Sequence, residues 1–144
     1  MTLTPLTLDK VKLITDLQQG IFSDGWSESM LKEGLACNNL LGYLLCDNQN
    51  TVGFITFSIS LDTSDLYDLL IAKNFRNRGY AQTLLDKYFE HLKANGVKKS
   101  LLEVRKSNIC AINLYQKNGY LTIAQRKKYY SDGEDAIVME KVIL

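Results

Sequence analysis

A basic turn that contains a glycine lies between an apolar run and a helical pattern. Leu66–Ile71 is a short run dominated by large apolar residues, which is typical of a buried strand. The turn that follows reads Arg76-Asn77-Arg78-Gly79-Tyr80-Ala81, and apolar residues then recur at helical spacing as far as Leu92. A helix that begins at this turn presents unpaired N–H groups and a partial positive charge. Because Gly79 has no side chain and the arginines carry full charges, the turn is suited to bind a pyrophosphate.

This turn matches neither of the common nucleotide-binding motifs. No Gly-Lys-Ser/Thr follows it, so it is not a Walker loop, and the dinucleotide glycine pattern is absent. The alternative is that the small residues form only a turn before a helix. The phosphate hypothesis therefore depends on the residue types of the turn itself.

A second group of candidate residues lies downstream. Glu103 interrupts the apolar run Leu101–Val104, and Tyr115 lies at helical spacing with Ala111 and Ile112. A carboxylate can accept a proton and a tyrosine can donate one, which are the two roles of general acid–base catalysis. The alternative functions are structural, since such a glutamate usually faces solvent and such a tyrosine usually packs in the core. Asp68 is an alternative base, because it lies in the strand before the glycine turn.

The histidine and cysteine content limits the other chemistries. The sequence has one histidine, His91, so sites with several histidines and Ser-His-Asp or Cys-His catalysis are disfavoured. The three cysteines, Cys37, Cys46 and Cys110, show no metal-ligand spacing. We interpret them as small buried residues in a reducing compartment, and we predict no metal site.

Length and composition are those of one globular domain over residues 1–144. The chain has 46% hydrophobic residues, 23% charged residues and a formal net charge of +1. This balance gives no indication of nucleic-acid or anionic-membrane binding. No apolar run approaches about 18 residues, and the N-terminal MTLTPLTLDK lacks the pattern of a signal peptide. We expect a cytoplasmic protein that acts as a monomer.

The predicted elements alternate in the manner of an α/β domain with a mixed sheet. The first half is predicted to contain an edge strand around Leu3 and Leu6, a helix from Leu8 to Phe22, a break at Ser23-Asp24-Gly25, a helix capped by Ser27, and two strands, Leu40–Cys46 and Val52–Ile59, joined by the hairpin loop Asp47–Asn50. After the strand and helix around the glycine turn, the predicted elements are a C-cap at Gly96, a strand at Leu101–Val104, a short helix from Ser107 or Asn108 that stops at Asn118-Gly119, and strands at Tyr120–Ala124 and Ala136–Val142.

Taken together, these motifs resemble one known family. Arg-x-x-Gly-x-Ala after an apolar strand resembles the coenzyme A loop of the GCN5-related N-acetyltransferases (GNAT family). The stretch LEVRKSNICAINLYQKNGY resembles the signature of the ribosomal-protein alanine N-acetyltransferases, the RimI type within that family. Trp26-Ser27, Arg126–Tyr130 and Glu134–Met139 also fit, so the resemblance covers essentially the whole chain.

The resemblance implies a GNAT fold, with a mixed central sheet of about seven strands flanked by about four helices. It also implies acetyl-CoA as cosubstrate and, as acceptor, the N-terminal alanine of a small-subunit ribosomal protein. Glu103 would be the general base and Tyr115 the general acid. The implied coenzyme-binding residues are Leu69, Leu70 and Ile71 for the pantetheine arm, Arg76, Asn77, Arg78, Gly79, Tyr80, Ala81 and Gln82 for the pyrophosphate, and Asn108 for the pantetheine or thioester region.

Four positions depart from the family pattern. The family usually has asparagine at Asp68, proline at Lys73, glycine at Ala81 and proline at Gly25 before Trp26. These departures leave the coenzyme hypothesis intact and concern mainly the acceptor. Two alternatives therefore stay open: acetylation of another amine, such as a small molecule, an antibiotic or a lysine, and a non-catalytic acyl-CoA-binding sensor.

Amine pKa values favour an N-terminal acceptor. A terminal α-amine has a pKa of roughly 7.7–8.0, so about a third is neutral near pH 7.5. A lysine side chain with a pKa near 10.4 would be only about 0.1% neutral. A carboxylate base can therefore serve an α-amine with little change in its own pKa.

Overall fold

The computed structural model describes residues 1–19 and 25–144. These residues form seven strands, four α-helices and two 3₁₀ turns. In chain order they are β1 (Thr2–Pro5), a 3₁₀ turn (Leu8–Lys10), α1 (Val11–Gln18), α2 (Glu28–Ala36), β2 (Leu41–Asp47), β3 (Asn50–Ser60), β4 (Thr63–Ile71), a 3₁₀ turn (Lys73–Phe75), α3 (Tyr80–Ala94), β5 (Lys99–Arg105), α4 (Ile109–Lys117), β6 (Leu121–Arg126) and β7 (Ala136–Val142).

The strands form a mixed sheet in the order β1-β2-β3-β4-β5-β7-β6. β4 and β5 are parallel, whereas β1–β2, β2–β3, β5–β7 and β6–β7 are antiparallel. The predicted α/β class, with about seven strands and about four helices, is confirmed. The described chain is arranged in two compact units, the first comprising Met1–Ser58 with Asp68–Tyr88 and the second Ile59–Tyr67 with Phe89–Leu144.

The core of the first unit forms where the amphipathic helix α1 packs with α2 on the strands. Val11, Ile14 and Leu31 are almost fully buried beside Leu44 and Phe54. The first helix is shorter than the predicted one. A 3₁₀ turn occupies Leu8–Lys10, and α1 ends at Gln18. Phe22 and the predicted break at Ser23-Asp24 lie outside the described residues.

The first half of α3 also packs within the first unit. Leu84, Leu85 and Tyr88 are fully buried, and the Tyr88 ring lies 4.7 Å from that of Phe57 between centroids. These residues belong to the stripe that helical spacing predicts. The burial fixes the orientation of the helix and therefore of its N-terminal turn.

Alternation along β5 organises the second unit. Ser100, Leu102 and Val104 are buried, whereas Leu101, Glu103 and Arg105 on the other face are partly exposed. The hydroxyl groups of Ser100 and Tyr120 are 2.8 Å apart in a buried hydrogen bond. The sequence predicts this alternation, but not which face carries the site.

The burial predicted for the cysteines is wrong for two of them. Cys37 and Cys110 are exposed and Cys46 is partly buried. Cys37 is the C-cap of α2 and Cys110 lies in the first turn of α4, so both are at helix ends. Within residues 1–19 and 25–144, no group of three or more His, Cys, Asp or Glu side chains is arranged to hold a metal ion. No helix in the same ranges has the length and apolarity needed to cross a membrane.

Candidate active site

The glycine turn leads directly into α3. After β4 ends, the N–H of Ala72 donates to the Val52 carbonyl at 2.8 Å, which ties the chain to β3. Asn77 and Gly79 both have positive φ angles, +63° and +82°, so the backbone reverses sharply before the helix begins at Tyr80. The Gly79 carbonyl then accepts from both the N–H and the hydroxyl of Thr83, each at 3.2 Å.

The space above Gly79 is open. A Cβ built at this residue would meet no heavy atom within 4 Å beyond its chain neighbours, and residues 76–79 are all exposed. A helix N-terminus presents N–H groups that the helix itself does not bond, so the first turn of α3 can offer donors to an anion bound beside Gly79. This cradle fits the pyrophosphate of a coenzyme, which is the group predicted to bind here.

The basic residues of the turn also hold its shape. Arg76 Nε donates to the Ile71 carbonyl at 3.1 Å, at the end of β4. The Arg78 guanidinium lies 5.5 Å from the centre of the Phe75 ring, and the Phe75 and Tyr80 rings are 6.4 Å apart. Both arginines are exposed, so their charge remains available to an anion.

The predicted pantetheine strand depends on a glycine of β3 that belongs to none of the sequence motifs. Leu69, Leu70 and Ile71 form the end of β4. A Cβ at Gly53 in β3 would lie only 2.4 Å from the Leu70 carbonyl oxygen and 2.7 Å from Cδ1 of Ile71. An isolated glycine inside a strand pattern is the signal that could have indicated this close backbone approach.

Trp26 and Asp68 form a separate group within the first unit. The buried amide of Gln18 binds the Trp26 backbone twice, donating to its carbonyl at 2.9 Å and accepting from its N–H at 2.8 Å. Burial raises the pKa of Asp68 above the ordinary aspartate value, and the Trp26 side chain lowers it in part. Asp68 is thus a carboxyl group whose charge is disfavoured, as an alternative base requires.

The predicted base lies in the second unit, on the partly exposed face of β5. The Tyr129 hydroxyl donates to Oε1 of Glu103 at 3.0 Å, and Nε of Arg126 lies 2.6 Å from Oε2. The hydrogen bond to Glu103, together with the charge of the carboxylate, raises the pKa of Tyr129. Tyr129 therefore keeps its proton through the neutral range and remains a donor.

Glu103 also borders a cavity of about 230 Å³. Tyr67 of β4, Arg126 of β6 and Val138 of β7 line it as well. The β4–β5 ladder runs from Thr63 and Lys99 to Leu66 and Leu102, whereas β5 continues to Arg105. Glu103 is therefore the first residue of β5 beyond this parallel ladder.

Tyr115 and Asn108 lie on α4. Tyr115 is buried, and its ring packs edge-on against Tyr120, 5.6 Å away between centroids. Asn108 caps the helix by accepting from the N–H of Ala111 at 3.2 Å. Because Tyr120 bonds to Ser100, Tyr115 belongs to the face of β5 opposite to Glu103. The two predicted catalytic side chains therefore lie on opposite faces of β5.

A network of charges holds the segment 127–135, which connects β6 to β7. Arg105 pairs with Asp132 at 2.9 Å and with Glu134 at 3.0 Å, and its guanidinium stacks 4.1 Å from the centre of the Tyr130 ring. Glu134 also accepts from the N–H of Ser107 at 2.8 Å. Hydrogen bonds from Ser107 and Arg105 hold the pKa of Glu134 below its ordinary value.

Asp135 fixes the other side of this segment. It accepts from the N–H of Lys128 at 2.9 Å and from the amide of Gln125 at 2.7 Å, and these bonds lower its pKa. The segment is thus anchored at both ends, and Tyr129 is held against Glu103. In the sequence, Arg126–Tyr130 is recognisable only as part of a motif, and no role is predicted for these residues. Their contact with Glu103 joins positions 23 to 26 residues apart, which sequence spacing does not reveal.

Comparisons with known proteins agree with these features. Residues 11–120 match the family model of the acetyltransferase (GNAT) family. The chain is 28% identical to the ribosomal protein bS18-alanine N-acetyltransferase of Escherichia coli strain K12 over 141 residues, which are 96% of this chain and 95% of that protein. It is 35% identical to the Haemophilus influenzae protein of the same name over 118 residues, 79% of this chain and 80% of that protein. The crystal structure of the Escherichia coli ribosomal-protein-S18-alanine N-acetyltransferase matches with a TM-score of 0.90 at 28% identity, covering 99% of this chain and 93% of that one.

Proposed function

The chain belongs to the acetyltransferase (GNAT) family, and on that premise we propose that it acetylates the N-terminal alanine of a small-subunit ribosomal protein. As a member of this family it is an N-acetyltransferase, and its acetyl donor is acetyl-CoA. We further propose that residues 1–144 act as a single acetyltransferase domain, since the family match draws on residues of both compact units.

The observation that carries the proposal is the position of Glu103. Its carboxylate is held by Tyr129 at 3.0 Å and by Arg126 at 2.6 Å, it borders a cavity, and it lies just beyond the end of the β4–β5 ladder. A carboxylate that is fixed in place and borders a cavity supports the proposal that Glu103 is the general base. Its partial exposure, 33% of the side chain, also leaves room for a bridging water.

In the proposed reaction, Glu103 accepts a proton from the acceptor's α-ammonium group, directly or through water. The neutral amine then attacks the thioester carbonyl carbon, and the bond from that carbon to sulfur breaks. The nitrogen releases its second proton to solvent as the amide forms, and the general acid later regains a proton from solvent. Tyr115 donates its hydroxyl proton to the departing thiolate, whose conjugate thiol has a pKa near 8.5. Such acid and base groups typically contribute about 10²–10⁴ each to the rate, and correct positioning adds to that.

Three groups of residues are proposed to bind different parts of the coenzyme. The turn from Arg76 to Gln82 is proposed to bind the pyrophosphate, because its backbone is open at Gly79 and its arginines are exposed. Leu69–Ile71 is proposed to bond the pantetheine arm through backbone groups, as an added strand would. Asn108 uses its side-chain oxygen to cap α4, so its amide NH₂ is the group proposed to contact the pantetheine or thioester region.

The choice of acceptor is supported by the relatives named for acetylating the alanine of ribosomal protein bS18. Amine chemistry supports the same choice, because an α-amine is far more often neutral at physiological pH than a lysine side chain. Trp26, whose backbone Gln18 fixes twice, is proposed to restrict the first acceptor residue to a small side chain. A misplaced apolar group in such a pocket costs roughly 1–3 kcal/mol.

A panel of acceptors tests this function. Peptides that begin with Ala, Ser or Leu, each with its N-acetylated control, are compared with a lysine-containing blocked peptide and with small amines, and thiol release from acetyl-CoA is measured. We expect the highest kcat/KM for the Ala peptide and no turnover of its blocked form. Equal rates on blocked lysine peptides, or faster turnover of small amines, would move the acceptor away from N-terminal alanine. No thiol release with any acceptor would point to a coenzyme-binding sensor.

A further inference from the structure

Glu103 is paired with a cation that cannot take part in proton transfer. Oε1 has a hydrogen bond from Tyr129, but Oε2 is buried and receives no hydrogen bond from any residue in the ranges 1–19 and 25–144. Its neighbour is Nε of Arg126, 2.6 Å away, which forms an ion pair without hydrogen-bond geometry. This oxygen therefore has a compensating charge and an unused capacity to accept an N–H.

The chemistry of Arg126 makes this pair unproductive. A guanidinium stays protonated at every pH at which proteins are active, so it has no proton to give to Glu103. An α-ammonium carries the same charge, has N–H donors for Oε2 and can lose a proton near neutral pH. When an α-ammonium group replaces the Arg126 guanidinium, Glu103 gains a partner from which it can accept a proton.

The location of Arg126 permits such a replacement. It is the last residue of β6, an edge strand with every residue exposed, and its own side chain is 58% exposed. It borders the same cavity as Glu103, and its guanidinium lies 5.7 Å from the Tyr129 ring centre. Partly exposed ion pairs are weak, so the side chain can leave Glu103 at small cost.

Other charged groups near Glu103 do not fill this position. Arg105, on the same strand, is engaged by Asp132 and Glu134. Asp65 of β4 borders the cavity and is an anion, as Glu103 is, so it attracts cations to the cavity but cannot pair with Oε2. Arg126 is the cation that a positively charged acceptor must replace.

We propose that Arg126 occupies the place on Glu103 that the acceptor's ammonium group takes, so that acceptor binding exchanges one cation for another. This inference rests on the proposed function, in which Glu103 receives the acceptor's proton. It gives the protein a means of selecting primary ammonium groups. An acceptor with a free amine can displace Arg126, whereas a blocked N-terminus, including that of the acetylated product, cannot.

Binding measurements on Arg126→Gln test the exchange without depending on turnover. Calorimetry with saturating CoA, which cannot donate an acetyl group, gives the Kd of the free-amine Ala peptide and of its N-acetylated form. Removal of the competing cation should lower the Kd of the free-amine peptide by about two- to fivefold and leave the Kd of the acetylated peptide unchanged. Arg126→Lys, which keeps a cation at this position, should stay near wild type.

Lys99→Gln is the matched control, because Lys99 pairs with Glu140 at 3.7 Å in the same unit and its loss removes the same charge without touching Glu103. It should change neither affinity. In a Glu103→Gln background, Arg126→Gln should have no effect on either peptide, because the shared carboxylate is gone.

Three results would overturn the exchange: weaker or unchanged binding of the free-amine peptide to Arg126→Gln, equal tightening of both peptides, or the same tightening without the Glu103 carboxylate. Each leaves the proposed function intact as long as the wild-type protein acetylates the Ala peptide. Failure of the wild-type protein to acetylate any N-terminal peptide would instead remove the proposed function.

Discussion

Each oxygen of the Glu103 carboxylate is contacted by a different side chain. Tyr129, from the segment 127–135, bonds one oxygen, and Arg126, the last residue of β6, pairs with the other. The hydrogen bond fixes the direction of the side chain, whereas the ion pair supplies charge. These two contributions can be separated by substitution, because Tyr129 meets the carboxylate with hydrogen-bond geometry and Arg126 does not.

Tyr129→Phe removes the hydroxyl that orients Glu103 and keeps the ring beside Arg126. A hydrogen bond to a charged group is worth about 1.5–3 kcal/mol, so we expect kcat/KM for the Ala peptide to fall at least tenfold. Tyr130→Phe is the control, since its ring would remain stacked on Arg105 and activity should change little. Equal activity of wild type and Tyr129→Phe would show that Glu103 is positioned without this bond.

Tyr115→Phe tests the proposed acid. The ring is buried against Tyr120, and loss of one hydroxyl preserves that packing, so stability and coenzyme affinity should hold. We expect kcat to fall about 10²-fold or more, measured in single-turnover experiments so that slow product release does not mask the effect.

Tyr120→Phe is the control for Tyr115→Phe, because it should lower stability and keep kcat. It removes a buried hydrogen bond to Ser100, which should cost about 1 kcal/mol of stability and leave kcat unchanged. A Tyr115→Phe protein with wild-type turnover would make Tyr115 a core residue.

The backbone reverses on both sides of α3 with a glycine in the same conformation, but the two glycines are expected to differ in function. Gly79 before the helix and Gly96 after it have φ angles of +82° and +69°, and a Cβ on either would meet no heavy atom within 4 Å beyond its chain neighbours. A side chain at either position is strained by about 1–3 kcal/mol. Only Gly79 faces the proposed pyrophosphate.

Gly79→Val should therefore weaken acetyl-CoA binding at least tenfold, because its side chain crowds the backbone that the phosphates must approach. Gly96→Val should lose similar stability and keep wild-type affinity. Calorimetry on both folded proteins makes the comparison. Unchanged affinity in Gly79→Val would remove the turn from the coenzyme site.

The elements themselves were predictable wherever the signal is local. The Ser27 cap, the Gly96 and Gly119 reversals and the strand Ala136–Val142 all lie where residue types and periodicity place them. What could not be predicted depends on contacts distant in the sequence. The exposure of Cys110, the close approach at Gly53 and the pairing of Arg126 with Glu103 follow from how elements pack rather than from their patterns.

At the scale of the whole molecule, Asp68 links stability to pH. Because burial raises its pKa, the native state favours the protonated carboxyl. Its stabilising contribution is complete below the ordinary aspartate pKa and is lost as the pH rises through the raised value. At neutral pH the ionised side chain therefore reduces the stability of the fold.

Asp68→Asn should be more stable than wild type at pH 7, and the difference should shrink as the pH falls toward 4. Urea unfolding across that range measures it. Asp65→Asn, an exposed position on the same strand, should leave stability unchanged at each pH. Equal stabilities of wild type and Asp68→Asn throughout would mean that the charge of Asp68 is not penalised in the fold.

Proton transfer from an N-terminal amine to Glu103 should be visible in a pH–rate profile. Wild type, Glu103→Gln and the control Glu140→Gln are compared on the Ala peptide from pH 6 to about 9.5. If Glu103 is the base, Glu103→Gln should lose most activity at neutral pH, and the loss should shrink above about pH 8, where the amine is already neutral. Glu140→Gln should follow wild type. A Glu103→Gln loss that is the same at every pH would contradict the assignment of Glu103 as the base.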